Sequence, residues 1–278
     1  MSPPNRPTFT NMASLLKHVE WPVMSEVGQA LIRTLNDEDA DIAEVCHIIS
    51  RDPALTATLL RMANSAMFGL SGTVDSLERA VNVVGVSMVR ARAVSICVVN
   101  SAKLPVGLDR MAFWHYCLLC AGYAQWLAIQ CGVNNQEAWL CGMMLRLGEI
   151  NLGQASPQDL PRVEATPIQP GERWVREREI IGFDEGVVTA ELLMHWDFPP
   201  TLVNGLRHTA QPLLPIEFQR LPALLNLAGR LADSGAITLA SLKDLPLMLL
   251  NLLQLDPEQL LKTAPDAHSL ADVSMFIS

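Results

Sequence analysis

Apolar residues recur every three or four positions along most of this chain, which is the spacing of one buried face of an α-helix. The pattern is clear after Pro22, where Val23, Val27, Leu31 and Leu35 share one helical face. Strict alternation of apolar and polar residues, which is typical of half-buried strands, never persists beyond a few positions. The sequence therefore predicts an all-α fold.

Residues that start or stop helices divide this pattern into segments. Asp52 and Pro53 predict a helix start, because aspartate accepts hydrogen bonds from free backbone amides and proline pre-sets the first turn. Pro22 predicts another first helical position, and Gly148 predicts a helix end, since glycine readily adopts the left-handed conformation that follows a last turn. The stretch 156–171 holds four prolines and predicts a long connection.

The composition indicates extensive burial and an acidic surface. Half of the 278 residues are hydrophobic and only 18% are charged, below the share of roughly 25% that is usual in globular proteins. The net charge is −9, and no run of Lys or Arg forms a basic patch. The stretch Glu172 to Glu179 interleaves both signs and is interpreted as a solvated helix face. Because an acidic chain repels phosphate backbones, no DNA partner is expected.

A long uncharged stretch raises the question of a membrane span. Met111 to Gln136 contains no Asp, Glu, Lys or Arg, but polar residues such as Gln125 and Gln130 interrupt it, which favours a buried core helix and no span. Its Cys117 and Cys120 form a CxxC between leucines, which favours structural thiols over a redox or zinc site. Six cysteines without a secretory signal predict a cytoplasmic protein with free thiols.

A short turn between two predicted helices raises the question of DNA binding. Val81 to Ser87 joins two predicted helices through Gly85, which loosely resembles a DNA-binding helix-turn-helix. Its second helix would offer Arg90 and Arg92, but most of that helix is apolar and the whole chain is acidic. A DNA-binding role is therefore not favoured.

An ordered series of motifs is the most informative feature of the chain. It consists of RDPA from Arg51, LTATLLRMANS from Leu55, SLERAVNVVG from Ser76, FW at Phe113, CGMMLRLG from Cys141, GFDE from Gly182, WDFP from Trp196, and His208. This series resembles the HDOD family, the HD-related output domains of bacterial signalling proteins. The Asp-Pro-Ala-Leu start together with Asn64 and Ser65 carries the most specific part of the resemblance.

The resemblance implies a division of the chain. An HDOD-like domain, related in fold to the HD phosphohydrolases, would cover residues 14–212, with a family-specific helical lobe over 14–108 and an HD-like lobe over 109–212. Residues 1–13 would form a flexible tail, since they hold three prolines. Residues 213–278 would add helices beyond the family pattern, packed on the core or against another chain.

The resemblance also shows where metal ligands would lie in an HD hydrolase. The adjacent His-Asp pair falls at Leu145 and Arg146, of which the first has no lone pair to donate and the second carries a permanent positive charge. Two like charges about 4 Å apart repel by about 4 kcal/mol at an effective dielectric of about 20, and a divalent ion roughly doubles this. A metal ion is therefore expected to be expelled.

At the remaining ligand positions most of the expected histidines are replaced as well. Tyr116 stands where a His would be, and His115 lies one position away, about 100° around the helix. Glu185 replaces another His, while His208 matches the first of a His pair and Thr209 replaces the second. One His and one carboxylate do not make a two-metal hydrolase, so no catalytic residue, metal or other cofactor is expected.

The functional expectation is a non-catalytic regulatory or scaffold protein of signal transduction. The resemblance implies other signalling proteins as partners, and self-association into a homo-oligomer is left open. Asp52, Asn64 and Ser65 are the candidate interaction residues, although Asp52 serves equally well as a helix N-cap. The alternative is a divergent phosphohydrolase or a nucleotide- or anion-sensing domain, in which Arg146 would contact a phosphate.

Overall fold

The computed structural model describes residues 7–37, 41–64, 73–165 and 169–271, and within them every regular element is a helix. The all-α prediction is therefore confirmed. The first six helices, which we call the N-terminal lobe from their place in the chain, are α1 Met12–Leu16, α2 Glu26–Leu35, α3 Ile42–Ser50, α4 Pro53–Ala63, α5 Leu77–Val84 and α6 Val86–Ser101.

Seven helices form the segment predicted to be HD-like: α7 Arg110–Cys131, α8 Asn135–Met144, α9 Leu147–Ala155, α10 Leu160–Val163, α11 Glu172–Ile180, α12 Glu185–His195 and α13 Pro200–Arg207. Five more follow: α14 Arg220–Ser234, α15 Leu239–Lys243, α16 Leu247–Leu253, α17 Pro257–Lys262 and α18 Ala267–Leu270.

The central helix is α7, the uncharged stretch of the sequence. It packs mainly against α8 and α14, and α14 also contacts α13. The region after residue 212 is thus part of the core, since α14 buries a nearly continuous apolar face. Cys117 and Cys120 are enclosed within α7 as free thiols, and burial raises the pKa of both. Among the described helices none is by itself long and apolar enough to cross a membrane, although α5 and α6, bent by 118°, pass as a pair.

The predicted Asp52 cap is present, but two predicted helix boundaries are wrong. Helix α2 begins four residues after Pro22, capped by Ser25, because the Pro22 carbonyl instead accepts a hydrogen bond from Trp196 Nε1 at 3.1 Å. Gly148 lies inside α9 and does not end a helix. A Cβ there would meet the Glu185 carbonyl oxygen at 2.0 Å, so this glycine allows α9 and α12 to approach closely.

The predicted flexible tail is also corrected for the residues that the structure describes. The amides of Thr8 and Phe9 donate hydrogen bonds to the carbonyls of Ile180 and Ile181 at 3.0 and 2.8 Å. The Phe9 side chain is buried in a small cluster with Ile181. This aromatic anchor holds the segment from residue 7 onward against the end of α11, since burying a Phe side chain contributes about 1.5–3 kcal/mol.

Candidate functional site

The position of the hydrolase His-Asp pair is the turn between α8 and α9. Leu145 is fully buried, and its carbonyl accepts a hydrogen bond from Thr189 Oγ1 at 2.9 Å. The same hydroxyl oxygen accepts from the Gly148 amide at 2.7 Å. A single threonine of α12 therefore fixes this turn, and Leu145 contributes packing where a hydrolase would place a ligand.

Arg146 is the second residue of that turn and lies in a buried ion-pair network. Its guanidinium, 7% exposed, donates to Glu149 through Nε and through Nη2, the latter at 3.3 Å, and Nη2 also reaches Glu164 at 3.4 Å. Arg173 Nη1 donates to Glu149 Oε1 at 2.8 Å and pairs with Glu164 as well. Two guanidinium groups and two carboxylates thus alternate in one buried cluster.

The carboxylate at the centre of this network is ionised. Burial of Glu149 opposes ionisation, but the nearby Arg146 and Arg173 outweigh that effect and lower the pKa of the carboxyl group. Removing one partner from a buried ion pair costs about 3–5 kcal/mol, because the other charge is left uncompensated. The charges of this network therefore balance one another, and replacing any one member is expected to destabilise the folded protein.

A second pair of acids borders the network. Glu177 and Glu185 are both fully buried. The Glu185 amide donates to Glu177 Oε2 at 2.7 Å, and Trp174 Nε1 donates to Glu185 Oε1 at 2.8 Å, which leaves Glu177 Oε1 and Glu185 Oε2 without hydrogen-bond partners. Burial raises the pKa of Glu185 to about 8, and burial together with repulsion from Glu185 raises that of Glu177 well above its usual range.

With Glu177 and Glu185 protonated, the positive and negative charges of this buried region are equal in number. The raised pKa values of Glu177 and Glu185 favour the neutral, protonated form of both acids. The positive charges of the two guanidinium groups are then balanced by the carboxylates of Glu149 and Glu164. We call these six residues, together with Tyr116, the charged cluster.

Tyr116 completes the charged cluster from α7. The Arg146 guanidinium lies 4.6 Å from the centroid of its ring, a distance at which the cation is attracted to the ring face. Its hydroxyl donates a hydrogen bond to the Gly229 carbonyl at 3.4 Å. The tyrosine thus stabilises a protein cation at the position where a hydrolase His would bind a metal ion.

His208 and Thr209 lie at the end of α13 and play different parts. His208 is partly exposed, and none of the described hydrogen bonds joins its side chain to the charged cluster. Thr209 is fully buried, donates from Oγ1 to the Gly205 carbonyl at 2.8 Å, and accepts from Asn226 Nδ2 at 2.9 Å through its own carbonyl. Thr209 therefore connects α13 to α14.

Sequence reasoning missed four of the seven residues of the charged cluster. It predicted a solvated face for α11, but Arg173, Trp174 and Glu177 are buried there. These positions, i, i+1 and i+4, share one side of a helix, and the Trp among the charges was the available signal. No feature of the sequence around Glu149 or Glu164 indicated that these carboxylates take part in the cluster. Within the described ranges, no group of three or more His, Cys, Asp or Glu side chains is arranged to hold a metal ion.

The geometry does not favour Arg146 as an anion contact. The guanidinium is nearly enclosed, and its described hydrogen bonds go to Glu149 and Glu164. An incoming phosphate would have to displace these carboxylates and take their place beside the remaining acids. Because buried carboxylates separated from their partners are strongly unfavourable, this exchange has no evident driving force.

The interaction candidates of the N-terminal lobe have structural roles. Asp52 caps α4, its Oδ1 accepting from the amides of Ala54 and Leu55, both at 3.0 Å. Asn64 Nδ2 donates to the carbonyls of Leu60 at 2.8 Å and Val74 at 2.7 Å, and its Oδ1 accepts from the Val74 amide at 2.7 Å. Its side-chain amide thus clamps Val74 to the end of α4. Ser65 lies outside the described residues.

Known proteins resemble the chain in sequence and in fold. An uncharacterized protein of Treponema pallidum is 27% identical over 243 residues, which is 83% of this chain and 45% of that protein. The chain therefore spans less than half the length of this curated relative. A Shewanella amazonensis structure with a provisional phosphohydrolase name is 26% identical, with a TM-score of 0.76 over 95% of this chain and 98% of that one.

Two further structures support the fold alone. A provisionally named signal transduction protein from Marinobacter aquaeolei is 21% identical, with a TM-score of 0.76 over 96% of this chain and 64% of that one. An HDOD domain protein of unknown function from Geobacter sulfurreducens is 18% identical, with a TM-score of 0.74 over 96% and 97%. The HDOD domain model matches residues 21–212. The chain belongs to the HDOD family, whose domains are associated with signal transduction.

Proposed function

We propose that this protein is a non-catalytic regulatory or scaffold module of signal transduction, which acts through contacts with other signalling proteins. One observation carries the non-catalytic part of the proposal: the buried pairing of Glu149 with both Arg146 and Arg173, at the position predicted for the hydrolase His-Asp pair. The charged side chains at this position neutralise one another through these ion pairs.

A metal centre would have to be assembled against this network. A divalent ion would be repelled by two buried guanidinium groups, and recruiting Glu149 as a ligand would leave both of them without their main partner. The raised pKa values of Glu177 and Glu185 favour their protonated forms, and a ligating carboxyl group must first lose its proton. Each step is unfavourable, so the geometry supports a structural role for the charged cluster.

The cysteines support a reducing compartment as the location of the protein. All six cysteines are free, and five of them are buried. Burial raises the pKa of Cys97, Cys117, Cys120 and Cys141, which suppresses their reactivity. Free inert thiols fit a cytoplasmic protein, and cytoplasmic signalling proteins are accordingly the proposed partners.

The catalytic part is tested by assaying hydrolysis of bis(p-nitrophenyl) phosphate with Mn²⁺, Mg²⁺, Zn²⁺ or Ni²⁺, using the wild-type protein and Glu185→Gln. We expect neither protein to exceed the metal-only background. Metal-dependent turnover by the wild type that disappears in Glu185→Gln would refute the proposal, because Glu185 is the carboxylate at a ligand position. Equal metal-dependent turnover in both proteins that survives further purification would also refute the proposal, because a site that does not need Glu185 would then catalyse the reaction.

The partner part is tested with the tagged full chain as bait in a native cytoplasmic extract. Proteins that bind are identified by mass spectrometry, purified separately and titrated against the chain by calorimetry. The proposal expects at least one signalling protein to bind with defined stoichiometry. If every captured protein fails to bind after purification, the scaffold role is contradicted.

A further inference from the structure

Arg92 of α6 is a buried cation without a counter-charge. Its side chain is 5% exposed, and its guanidinium carbon lies 3.3 Å from the centroid of the Trp139 ring on α8. No hydrogen bond or ion pair links this guanidinium to any described residue, and Nη1 is both enclosed and unpartnered. The residue that a helix-turn-helix would present to DNA is therefore inside the protein.

The contact with Trp139 does not balance the cost of burial. A cation over an aromatic ring contributes about 2 kcal/mol when desolvated, whereas removing an ion from water costs several kcal/mol even after relaxation. Burial lowers the pKa of Arg92 to about 9, which still leaves the group charged at neutral pH. Buried charges in proteins are normally paired, so the missing anion requires an explanation.

Arg92 lines a small pocket between α4, α5 and α6. The other lining residues are all apolar: Leu59, Met62, Ala63, Ala80, Val84, Met88 and Val89. The pocket volume is about 20 Å³, above the roughly 10–15 Å³ that one water molecule needs by the same measure, so the pocket can admit the end of a side chain. The pocket therefore combines one unpaired cation with an apolar wall and has room for little more than the tip of a side chain.

We propose that this pocket receives a carboxylate on an apolar stem, contributed by a protein partner as an Asp or Glu side chain, which pairs with Arg92. The planar guanidinium binds carboxylates through two parallel hydrogen bonds, and the stem contacts residues such as Met62 and Met88. This inference rests on the proposed function, for which it names a contact point and the chemistry of the partner.

The shape of the pocket favours a protein partner over a free small acid. A carboxylic acid small enough to enter about 20 Å³ would bury little surface of its own, and binding must first offset the loss of translational and rotational freedom. A partner protein gains additional area beside the pocket, where Val83 is 48% exposed and Val84 is half-buried. The partner thus supplies both the charge and the apolar cover.

The experiment compares two blocked peptides, acetyl-Leu-Leu-Asp-amide and acetyl-Leu-Leu-Asn-amide, titrated into the full chain by NMR. The wild type should bind the Asp peptide at least about tenfold more tightly, because a charge-assisted hydrogen bond is roughly twice as strong as a neutral one. The preference should vanish in Arg92→Met and persist in Arg79→Met, which removes an exposed Arg of α5. Equal binding of the two peptides by the wild type would overturn the proposal, and this comparison needs no variant to fold.

Two further measurements separate the possible sources and the two proposals. Butyrate and butyramide, titrated in the same way, test a free acid: discrimination between them that matches the peptides in strength would overturn the choice of a protein partner. Absence of hydrolysis together with equal binding of the two peptides would remove the Arg92 pocket and leave the scaffold proposal intact. Metal-dependent hydrolysis together with a retained preference for the Asp peptide would refute the non-catalytic proposal and leave the Arg92 pocket intact.

Discussion

Two buried regions of this protein hold arginines under opposite conditions. In the charged cluster, Arg146 and Arg173 share the carboxylates of Glu149 and Glu164. In the N-terminal lobe, Arg92 has an aromatic ring beside it and no anion. The first arrangement is complete within one chain, whereas the second lacks a partner. The difference is the basis for proposing a binding site at Arg92 and none at Arg146, since buried charges in proteins are normally paired.

The largest effect is expected from Glu149→Gln, which tests whether the charged cluster is closed. The amide keeps the shape of the side chain but leaves Arg146 and Arg173 without their shared counter-charge, so the free energy of unfolding should fall by about 3–5 kcal/mol. Urea unfolding monitored by circular dichroism measures the change. Glu26→Gln, which alters an exposed ion pair with Arg51, is the control and should leave the midpoint nearly unchanged.

The next prediction concerns the pH dependence of the same region. The pKa of Glu185 is about 8 in the folded protein and near 4.5 when unfolded, so its stabilising contribution is present below about pH 4.5 and is lost as pH rises through about 8. Glu185→Gln keeps the neutral form at every pH. We expect thermal unfolding midpoints to be similar at pH 5 and higher for the variant at pH 8.5. Parallel pH profiles for the two proteins would show that Glu185 is already ionised at neutral pH.

A smaller effect is expected at Asn64, which closes α4 against Val74. Asn64→Ala removes three hydrogen bonds of the side-chain amide and should lower the free energy of unfolding by about 1–3 kcal/mol, since each bond is worth about 1 kcal/mol and exposure reduces the sum. Asn82→Ala, on the exposed face of α5, serves as the control. Unchanged stability of Asn64→Ala with impaired binding of a partner would restore Asn64 as an interaction residue.

The smallest effect on stability, and the sharpest contrast, is expected at Arg92. Replacing an unpaired buried cation with Met removes a desolvation penalty and keeps most of the apolar volume, so the thermal midpoint of Arg92→Met should stay the same or rise. Differential scanning calorimetry measures it beside Arg146→Met, whose midpoint should drop. A drop of equal size in both variants would mean that Arg92 is compensated within the chain, and the comparison between the two regions would fail.

Much of the candidate site could be predicted from the chain alone. The resemblance to the HDOD family assigned Tyr116, Leu145, Arg146 and Glu185 to the ligand positions of an HD hydrolase, and the structure brings these four residues together. The Asp52 cap could be predicted because it depends on neighbouring backbone amides only. Local interactions of this kind are encoded within a few residues and need no knowledge of the fold.

Other features depended on contacts between distant segments. Gly148 predicted a helix end, but the approach of α12 to α9 gave it another role. The charges of α11 predicted solvent exposure, whereas Arg173 meets Glu149, 24 residues away, inside the protein. Pairings between distant residues cannot be inferred from the spacing within one helix.

The sequence by itself determined that this chain is all-helical and HDOD-like, because helix periodicity, capping and residue identity are local properties, and it predicted that the hydrolase ligand set is lost. Only the tertiary structure decided which charges are balanced. Arg92 and Arg146 look alike in the sequence, and electrostatic free energy depends on burial and on the distance to an opposite charge. Those quantities are set when α6 packs on α8 and when α9 meets α11.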